Sequence, residues 1–242
     1  TCATNTVILT PETEFSNSYV IEVSRGCARG CRFCVVGYVS RPMRPRSKDF
    51  ILEQAREGLN RTNKIGLMGS AVADHPDIDE IVSQLKDWGA RVSLSSLRVD
   101  NLSDTLLAAL NQSGTQNVTL APEAGSENMR RLINKGVDEE QILNAFDKVA
   151  AHNIGQLKLY FMLGLPEETD EDAQAMEGLV REGRKIIESH KARTRVVLNI
   201  SPFVPKAGTA FQWLPMTRSE VIGHRLKMVK KGLRGVADVR FD

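Results

Sequence analysis

Apolar residues recur along the chain in two rhythms that take turns from one end to the other. Short runs with a period of two, YVIEVS (19–24), KIGLM (64–68), RVSLSS (91–96), NVTLA (117–121), LKLYFM (157–162) and RVVLNI (195–200), read as six strands. The stretches between them carry a helical period. From Asp170 to Ser189, Ala173, Met176, Val180, Gly183 and Ile187 share one stripe, with acids in the first turn and bases later. Residues 102–113 repeat the pattern with Leu102, Leu106 and Leu110, and Ser103 and Asp104 are the candidate caps. A parallel neighbour needs a crossover connection, so strands joined by helices imply a parallel α/β sheet.

The phase within the strands favours a closed or nearly closed sheet. Leu157, Leu159, Phe161 and Leu163 alternate with Lys158, Tyr160, Met162 and Gly164, and Val196, Leu198 and Ile200 alternate with Arg195, Val197, Asn199 and Ser201. A sheet covered on both faces reads as continuous apolar runs, whereas a barrel with an accessible interior is oily outside and mixed within. The same phase directs Glu22, Ser24, Ser70, Ser95, Glu123, Lys158, Tyr160, Asn199 and Ser201 towards one lumen.

With 242 residues, 41% of them hydrophobic, the chain has material for one barrel-sized core. Its 32 Lys and Arg nearly balance 30 Asp and Glu, which excludes a global field for a polyanionic partner. No run of roughly 18 apolar residues and no basic-then-apolar leader appears, so the expectation is a soluble, cytoplasmic protein without a membrane partner. Charge does concentrate locally. Arg25, Arg29, Arg32, Arg41, Arg44, Arg46 and Lys48 fall in one stretch without an acid. Such a patch suits docking of an acidic flavodoxin- or ferredoxin-type reductant, contact with an RNA backbone, or local balancing of thiolate charge. Few aromatics accompany it, so a small-molecule substrate is favoured over RNA.

The chemistry is concentrated in SRGCARGCRFCVVGY (24–38), where Cys27, Cys31 and Cys34 form C-x3-C-x2-C directly after the first strand. Loops at the carboxyl ends of parallel strands build active sites. Structural zinc takes four ligands, usually as two separated pairs, whereas closely spaced thiolates suit an iron–sulfur cluster, and three of them leave one iron open to a small molecule. Two other readings stand beside this one: a zinc knuckle completed by Cys2 or His75, and a cluster of buried thiols. An iron–sulfur electron carrier or a zinc-structured binding module is accordingly the alternative to an enzyme. Cys2 lies in a terminal segment and reads as a free cysteine.

The C-x3-C-x-Phe33-C pattern, set after the first strand of a repeated strand–helix chain, resembles the radical S-adenosylmethionine superfamily from about Tyr19 to Pro215. The resemblance implies a partial (β/α)6 barrel whose three cysteines ligate a 4Fe–4S cluster, with S-adenosylmethionine on the open iron and a 5′-deoxyadenosyl radical as the product of its reductive cleavage. It divides the chain into a lead-in at 1–18, the barrel at 19–215, and a C-terminal helix and tail at 216–242 packed on it. GLMGSAVADHP stands where the family often has Gly-Gly-Glu. Gly69 and Ser70 match there, and Ala71 replaces the acid.

By the same resemblance Glu123 of LAPEAGSENMRRLINKG would accept from the ribose hydroxyls, against the alternative of a buried carboxylate paired with Lys158 or Arg98. Ser95 and Arg98 would hold the methionyl carboxylate, and Met162 and Gly164 of LYFMLGLPEET would pack on adenine, a core methionine being the alternative. LNISPFVPKAGTAFQW puts Asn199 and Ser201 at the cavity and makes Phe203 to Trp213 a candidate substrate wall. The branch that this stretch resembles often carries an upstream cobalamin-binding domain. No D-x-H-x-x-G motif occurs here, so cobalamin would come from a domain that this sequence does not encode. The implied reaction is a radical transfer of a methyl or methylthio group. Tyr160, Lys158 and His75 are the candidates for a general acid or base.

Overall fold

A computed structural model describes residues 3–241 other than 14, 96 and 116, so Cys2 lies outside the described residues. All six expected strands form: β1 (Tyr19–Glu22), β2 (Lys64–Met68), β3 (Arg91–Leu94), β4 (Asn117–Glu123), β5 (Gln156–Leu163) and β6 (Arg195–Pro202). They pair in parallel as β1-β2-β3 and β4-β5-β6. A parallel bridge between Leu97 and Leu120, with the Leu97 N–H donating to the Thr119 carbonyl at 2.8 Å, joins the two sets into one curved sheet. The result is an α/β partial barrel.

Its edges are finished by segments whose pairing the strand pattern did not announce. Asp238–Phe241, within the expected tail, is a further strand, β7, parallel to β6. Asn5 in the lead-in bridges Ile21 in antiparallel fashion, covering the outer edge of β1. DVRF has no apolar run to mark it, and near Asn5 the run Val7-Ile8-Leu9 does not mark the bridge, because Val7 and Ile8 stand largely in solvent.

The helices α1 (Lys48–Leu59), α2 (Ile78–Asp87), α3 (Asp104–Gln112), α4 (Glu127–Leu132), α5 (Glu139–Ala151), α6 (Asp170–Ser189) and α7 (Ser219–Gly232) follow the strands in order. Ser103 caps α3 as expected, its hydroxyl accepting from the Leu106 N–H at 3.0 Å. Thr169 and Asp172 form a reciprocal capping box that starts α6 at the expected residue. The main core lies between these helices and the outward strand faces, where Leu157, Leu159, Val196, Leu198 and Ile200 are all buried. Gly183 is there because α6 crosses α5 closely, and a Cβ would stand 2.5 Å from the Phe146 ring.

A smaller second core sits at the carboxyl end of the barrel, formed by Ala124, Met129, Ile133, Met162, Phe203 and Phe211 with Phe33 packed against it. The C-terminal helix is clipped to this end by Glu168 and Arg225. Arg225 Nη1 donates to Glu168 Oε2 at 2.7 Å, its Nε reaches Asp170 at 2.9 Å, and the Gly164 N–H donates to the same Glu168 oxygen at 2.7 Å. Burial pushes the Glu168 carboxyl up to about 7 from its ordinary 4.5, against the opposing pull of the Gly164 N–H and the Arg225 guanidinium.

A carboxyl that titrates higher when folded binds more protons than the unfolded chain between the two values, so its contribution to stability falls as pH rises from 4.5 to 7. Across that window the wild-type chain is expected to lose up to about 3 kcal/mol that Glu168→Gln retains. Urea unfolding at a series of pH values measures the difference, and parallel stability curves for the two proteins would count against it.

Candidate active site at the carboxyl end of the barrel

A loop that must present three thiols has no ladder of its own, and here other elements supply its hydrogen bonds. Gly26, at φ 84°, starts the loop where it runs against Ser40 and Pro42, and a Cβ there would lie 1.9 Å from the Ser40 carbonyl oxygen. The Arg32 N–H donates to the Ile133 carbonyl at 2.9 Å, Arg32 Nη1 to the Leu132 carbonyl at 2.7 Å, and Asn134 Nδ2 to the Gly30 carbonyl at 2.8 Å. These bonds fasten the loop to the end of α4. The Phe211 N–H, from the segment after β6, reaches the Arg32 carbonyl at 3.2 Å.

Arg29 ties the same loop to the far side of the mouth. Its Nε and Nη2 meet Asp74 at 3.1 and 3.4 Å, and Nη1 lies 3.5 Å from Asp100. Asp100 in turn takes Nε and Nη2 of Arg98 at 2.8 and 2.9 Å, and Arg98 also donates to the Lys135 carbonyl at 3.3 Å. Lys135 Nζ donates to Glu123 Oε1 at 3.0 Å. One chain of charges therefore runs from between the cysteines to Glu123. The Asp74 hydrogen bond raises the Arg29 guanidinium above its ordinary range, so this tether stays charged at every working pH.

The three thiols are unpaired, with Cys31 buried and Cys27 and Cys34 half-buried. The Arg29 N–H points at Cys27 Sγ at 3.4 Å, and the Cys34 N–H bonds the Cys31 carbonyl at 3.0 Å. Burial pushes the Cys31 thiol up, while Lys135 and Arg98 pull it down. Free thiols, a backbone donor at sulfur and two nearby cations suit thiolate ligands of a 4Fe–4S cluster. Among the described residues no three His, Cys, Asp or Glu side chains converge on a single ion position, which a cubane does not require because each thiolate binds its own iron. The zinc reading through His75 is a correction. His75 is buried, its Nδ1 accepts from the Asp77 N–H at 3.1 Å, and its Nε2 donates to the Arg46 carbonyl at 2.7 Å, so both ring nitrogens serve the fold.

Two spaces open on the lumen. One, of about 330 Å³, is walled by Glu123, Phe33, Tyr160, Met162, Ser201 and Phe203, among others. The other, of about 580 Å³, lies between β1, the end of β2 and the lead-in, with Glu22, Ser24, Gly69 and Ser70 in its wall. Glu123 keeps its expected place despite a register shift between Leu120 and Glu123. It takes φ 73°, a conformation that a non-glycine residue holds only where its surroundings enforce it. Its partner is Lys135, neither Lys158 nor Arg98.

Ser95 donates to the Gly69 carbonyl at 3.2 Å, which brings the ends of β2 and β3 together. Met162 is both a wall of the smaller space and a member of the second core. Gly164, at φ 80°, gives its N–H to Glu168 and its carbonyl to Thr217, so its backbone is committed to the C-terminal helix. Asn199 is half-buried two residues before Ser201 on β6. The expected aromatic wall divides: Phe203 and Phe211 pack edge to face at 5.8 Å in the second core, while Trp213 is 87% exposed.

Lys135, Asp74 and Asp100 escaped the sequence reading, since they lie between the main elements, Asp74 and Asp100 in short 3-10 turns, and the pairings with Glu123 and Arg29 form only in the folded chain. The basic stretch is also largely consumed. Arg25 and Arg46 pair with Glu22, Arg29 with Asp74 and Lys48 with Glu80, while Arg32, Arg41 and Arg44 donate to backbone carbonyls.

Comparison with known proteins bears on this geometry. The sequence model of the Radical SAM superfamily matches residues 21–180. An uncharacterized protein of Methanocaldococcus jannaschii is 36% identical over 225 residues, covering 92% of this chain and 48% of that protein. A tRNA-2-methylthio-N(6)-dimethylallyladenosine synthase of Marinomonas sp. is 25% identical over 189 residues, 71% of this chain and 41% of the synthase. The chain thus spans about half the length, or less, of these relatives. Among solved structures, SuiB of Streptococcus suis bound to S-adenosylmethionine shares the fold with a TM-score of 0.60 at 12% identity, over 92% of this chain and 49% of SuiB. The cobalamin-dependent S-adenosylmethionine radical enzyme OxsB does so with a TM-score of 0.53 at 18% identity, over 66% of this chain and 26% of OxsB.

In the cluster-free, reduced protein Cys31 is expected to react with iodoacetamide at least about tenfold more slowly than Cys27 or Cys34, because both its burial and its raised thiol range suppress the thiolate. Timed anaerobic labelling read by mass spectrometry decides this. Equal rates at all three positions would mean that the loop is not held as described.

Proposed function

This chain belongs to the radical SAM superfamily, and from that premise we propose that it reductively cleaves S-adenosylmethionine and directs the resulting radical to the transfer of a methyl or methylthio group onto a small-molecule substrate. The observation that carries the reading is the loop of three unpaired thiols, tethered on both sides and joined through Arg29, Asp100, Arg98 and Lys135 to Glu123 in the lumen. Cys27, Cys31 and Cys34 would hold a 4Fe–4S cluster. When bound, that cluster supplies an iron with an open position and the electron that splits the sulfonium to a 5′-deoxyadenosyl radical.

The remaining work falls to this chain's own groups. The backbone carbonyls around Gly69 and Ser70 would receive the methionyl amine, with Ser95 and Arg98 at the carboxylate, since Ser95 reaches Gly69 and the Arg98 charge acts on Cys31. Glu123, fixed by Lys135, would accept from the ribose hydroxyls. Phe33, Met162 and Phe203 form an apolar wall beside it, with Asn199 and Ser201 on the neighbouring strand, and such a wall keeps water from a reactive carbon. An acidic flavodoxin- or ferredoxin-type protein is the proposed reductant, approaching through Arg32, Arg41 and Arg44, the bases of the stretch that no carboxylate neutralises among the described residues. Free thiols of this kind belong to a reducing compartment such as the cytoplasm. No helix among the described residues is long and apolar enough to cross a membrane. Cobalamin, as in OxsB, would enter through a domain outside this chain.

The transfer reaction draws support from the methylthio synthase relatives, and the same relatives favour a second reading in which the substrate is RNA. Anaerobic reconstitution with iron and sulfide, followed by dithionite and S-adenosylmethionine, is expected to yield 5′-deoxyadenosine, and Cys31→Ala to yield none. A reconstituted cluster that forms no such product with any reductant would refute the cleavage. Filter binding of a tRNA transcript against salt concentration separates the substrates: the small-molecule reading expects weak retention, whereas tight retention that collapses as salt rises would establish phosphate contacts.

A further inference from the structure

The space of about 580 Å³ is not claimed by the residues expected to hold the cosubstrate, apart from Gly69 and Ser70 at one end. Its size is that of a small-molecule pocket. Its wall is made by Val20, Glu22, Ser24 and Arg25 from β1 and the residues after it, by Val36 and Ser40 beyond the cysteines, by Met68 to Ser70 at the end of β2, and by Thr4 to Thr6 of the lead-in. We propose that it is the substrate pocket, built for a small organic molecule with an apolar body and one anionic group, a carboxylate or a phosphate. This assignment deepens the proposed function and rests on it.

Three observations converge on that ligand chemistry. Ser24 is 2% exposed and its hydroxyl has no hydrogen-bond partner among the described residues, although a buried polar group is almost always paired. Gly69 packs so close that a Cβ there would lie 2.6 Å from Ser24 Oγ. Ser24 lines the cavity, and its hydroxyl lies beside Gly69, shielded from water and brought to a ligand group by a side-chain rotation. Charge in the wall is set by Glu22, which is held by Arg25 through two bonds of 2.9 Å and by Arg46 at 3.0 Å. The Arg25 guanidinium holds the Glu22 carboxyl below its ordinary range, with Arg46 adding to the pull against burial. Two guanidiniums face one carboxylate, Arg25 in the wall and Arg46 outside the lining, so the surplus around Glu22 is positive. Arg25 is 55% exposed, and its Nη1 lies outside the fork that grips Glu22, free to meet an anion at the cavity.

The third observation is the apolar part of the wall. Val20, Val36 and the 36%-exposed Met68 offer a soft surface, and no aromatic ring is among the described lining residues. A nucleobase is usually received by stacking on a ring, which argues for an aliphatic or aryl acid over an everted base. Placement completes the case. The pocket's lining reaches Gly26, the residue before Cys27, and shares Gly69 and Ser70 with the expected cosubstrate position, so a molecule bound there adjoins the radical.

Saturation-transfer NMR on the full chain, with benzoate and phenyl phosphate as separate probes, tests the assignment. At least one probe is expected to bind, and the stronger of the two identifies the anionic group. Ser24→Ala should weaken it about 3- to 10-fold, the worth of one neutral hydrogen bond, Arg25→Gln about tenfold or more, and Met68→Trp should abolish it by filling the cavity. Gln174→Ala, on the outer surface of α6, should leave it unchanged. Thermal melts confirm that each variant is folded. Binding of neither probe, or binding that a folded Met68→Trp leaves intact, overturns the proposal, as does tRNA retention that Met68→Trp removes. Probe binding needs no cluster. Lost binding with 5′-deoxyadenosine still produced sinks the pocket alone, and intact binding without that product sinks the cleavage reading alone.

Discussion

A loop that offers three sulfurs to a ligand must leave them unbonded and still be rigid, and this constraint organises the carboxyl end of the barrel. The loop spends few of its own groups on itself. Its carbonyls at Ala28, Gly30 and Arg32 accept from Arg41, Asn134 and Phe211, which come from three different parts of the chain. Its guanidinium at Arg29 crosses to Asp74 and Asp100. Fixing a flexible segment by charge-assisted bonds at several points is how a barrel turns a loop into a rigid presenting surface.

The same economy explains the basic stretch. Seven cations around thiols invite a reading as a docking patch, yet four are paired with carboxylates that arrive from β1, the turn after β2 and α2, with Glu22 shared by two of them. What remains is a smaller exposed set, Arg32, Arg41 and Arg44, each steadied by a backbone carbonyl. At the other side of the mouth, the buried Glu168–Arg225 pair commits the turn at Gly164 and the start of α6 to the C-terminal helix. Burying such a pair is expensive unless its hydrogen bonds are complete, and here the Gly164 N–H and Asp170 complete them. The C-terminal helix is therefore joined to the turn after β5, close to the second core that supports Phe33.

Much of the architecture was legible from the chain alone, because burial on one face of a strand or helix leaves a periodic mark. The outward leucines of β5, the stripe and capping box of α6 and the serine cap of α3 are local facts, and each element appears where its period says. The cysteine spacing after β1 is likewise local, and it carried the family. Strand β7 left no mark, since a four-residue edge with three exposed residues and a half-buried Val239 buries too little to impose a period.

Partners across the mouth were a different matter. Sequence phase sent Glu123 to the lumen, but only the fold could choose Lys135 over Lys158 or Arg98 as its cation, because the choice depends on where the turn after α4 meets β4. His75 looked available and is fully spent on the backbone, and Trp213 looked like a wall and stands in solvent. The chain by itself determined which elements form, which face each buries and which chemistry the thiols invite, since these follow from periodicity and spacing. Tertiary structure decided which charges neutralise one another and where an unpaired hydroxyl meets a cavity, since distances between remote residues are set only when the sheet has curved.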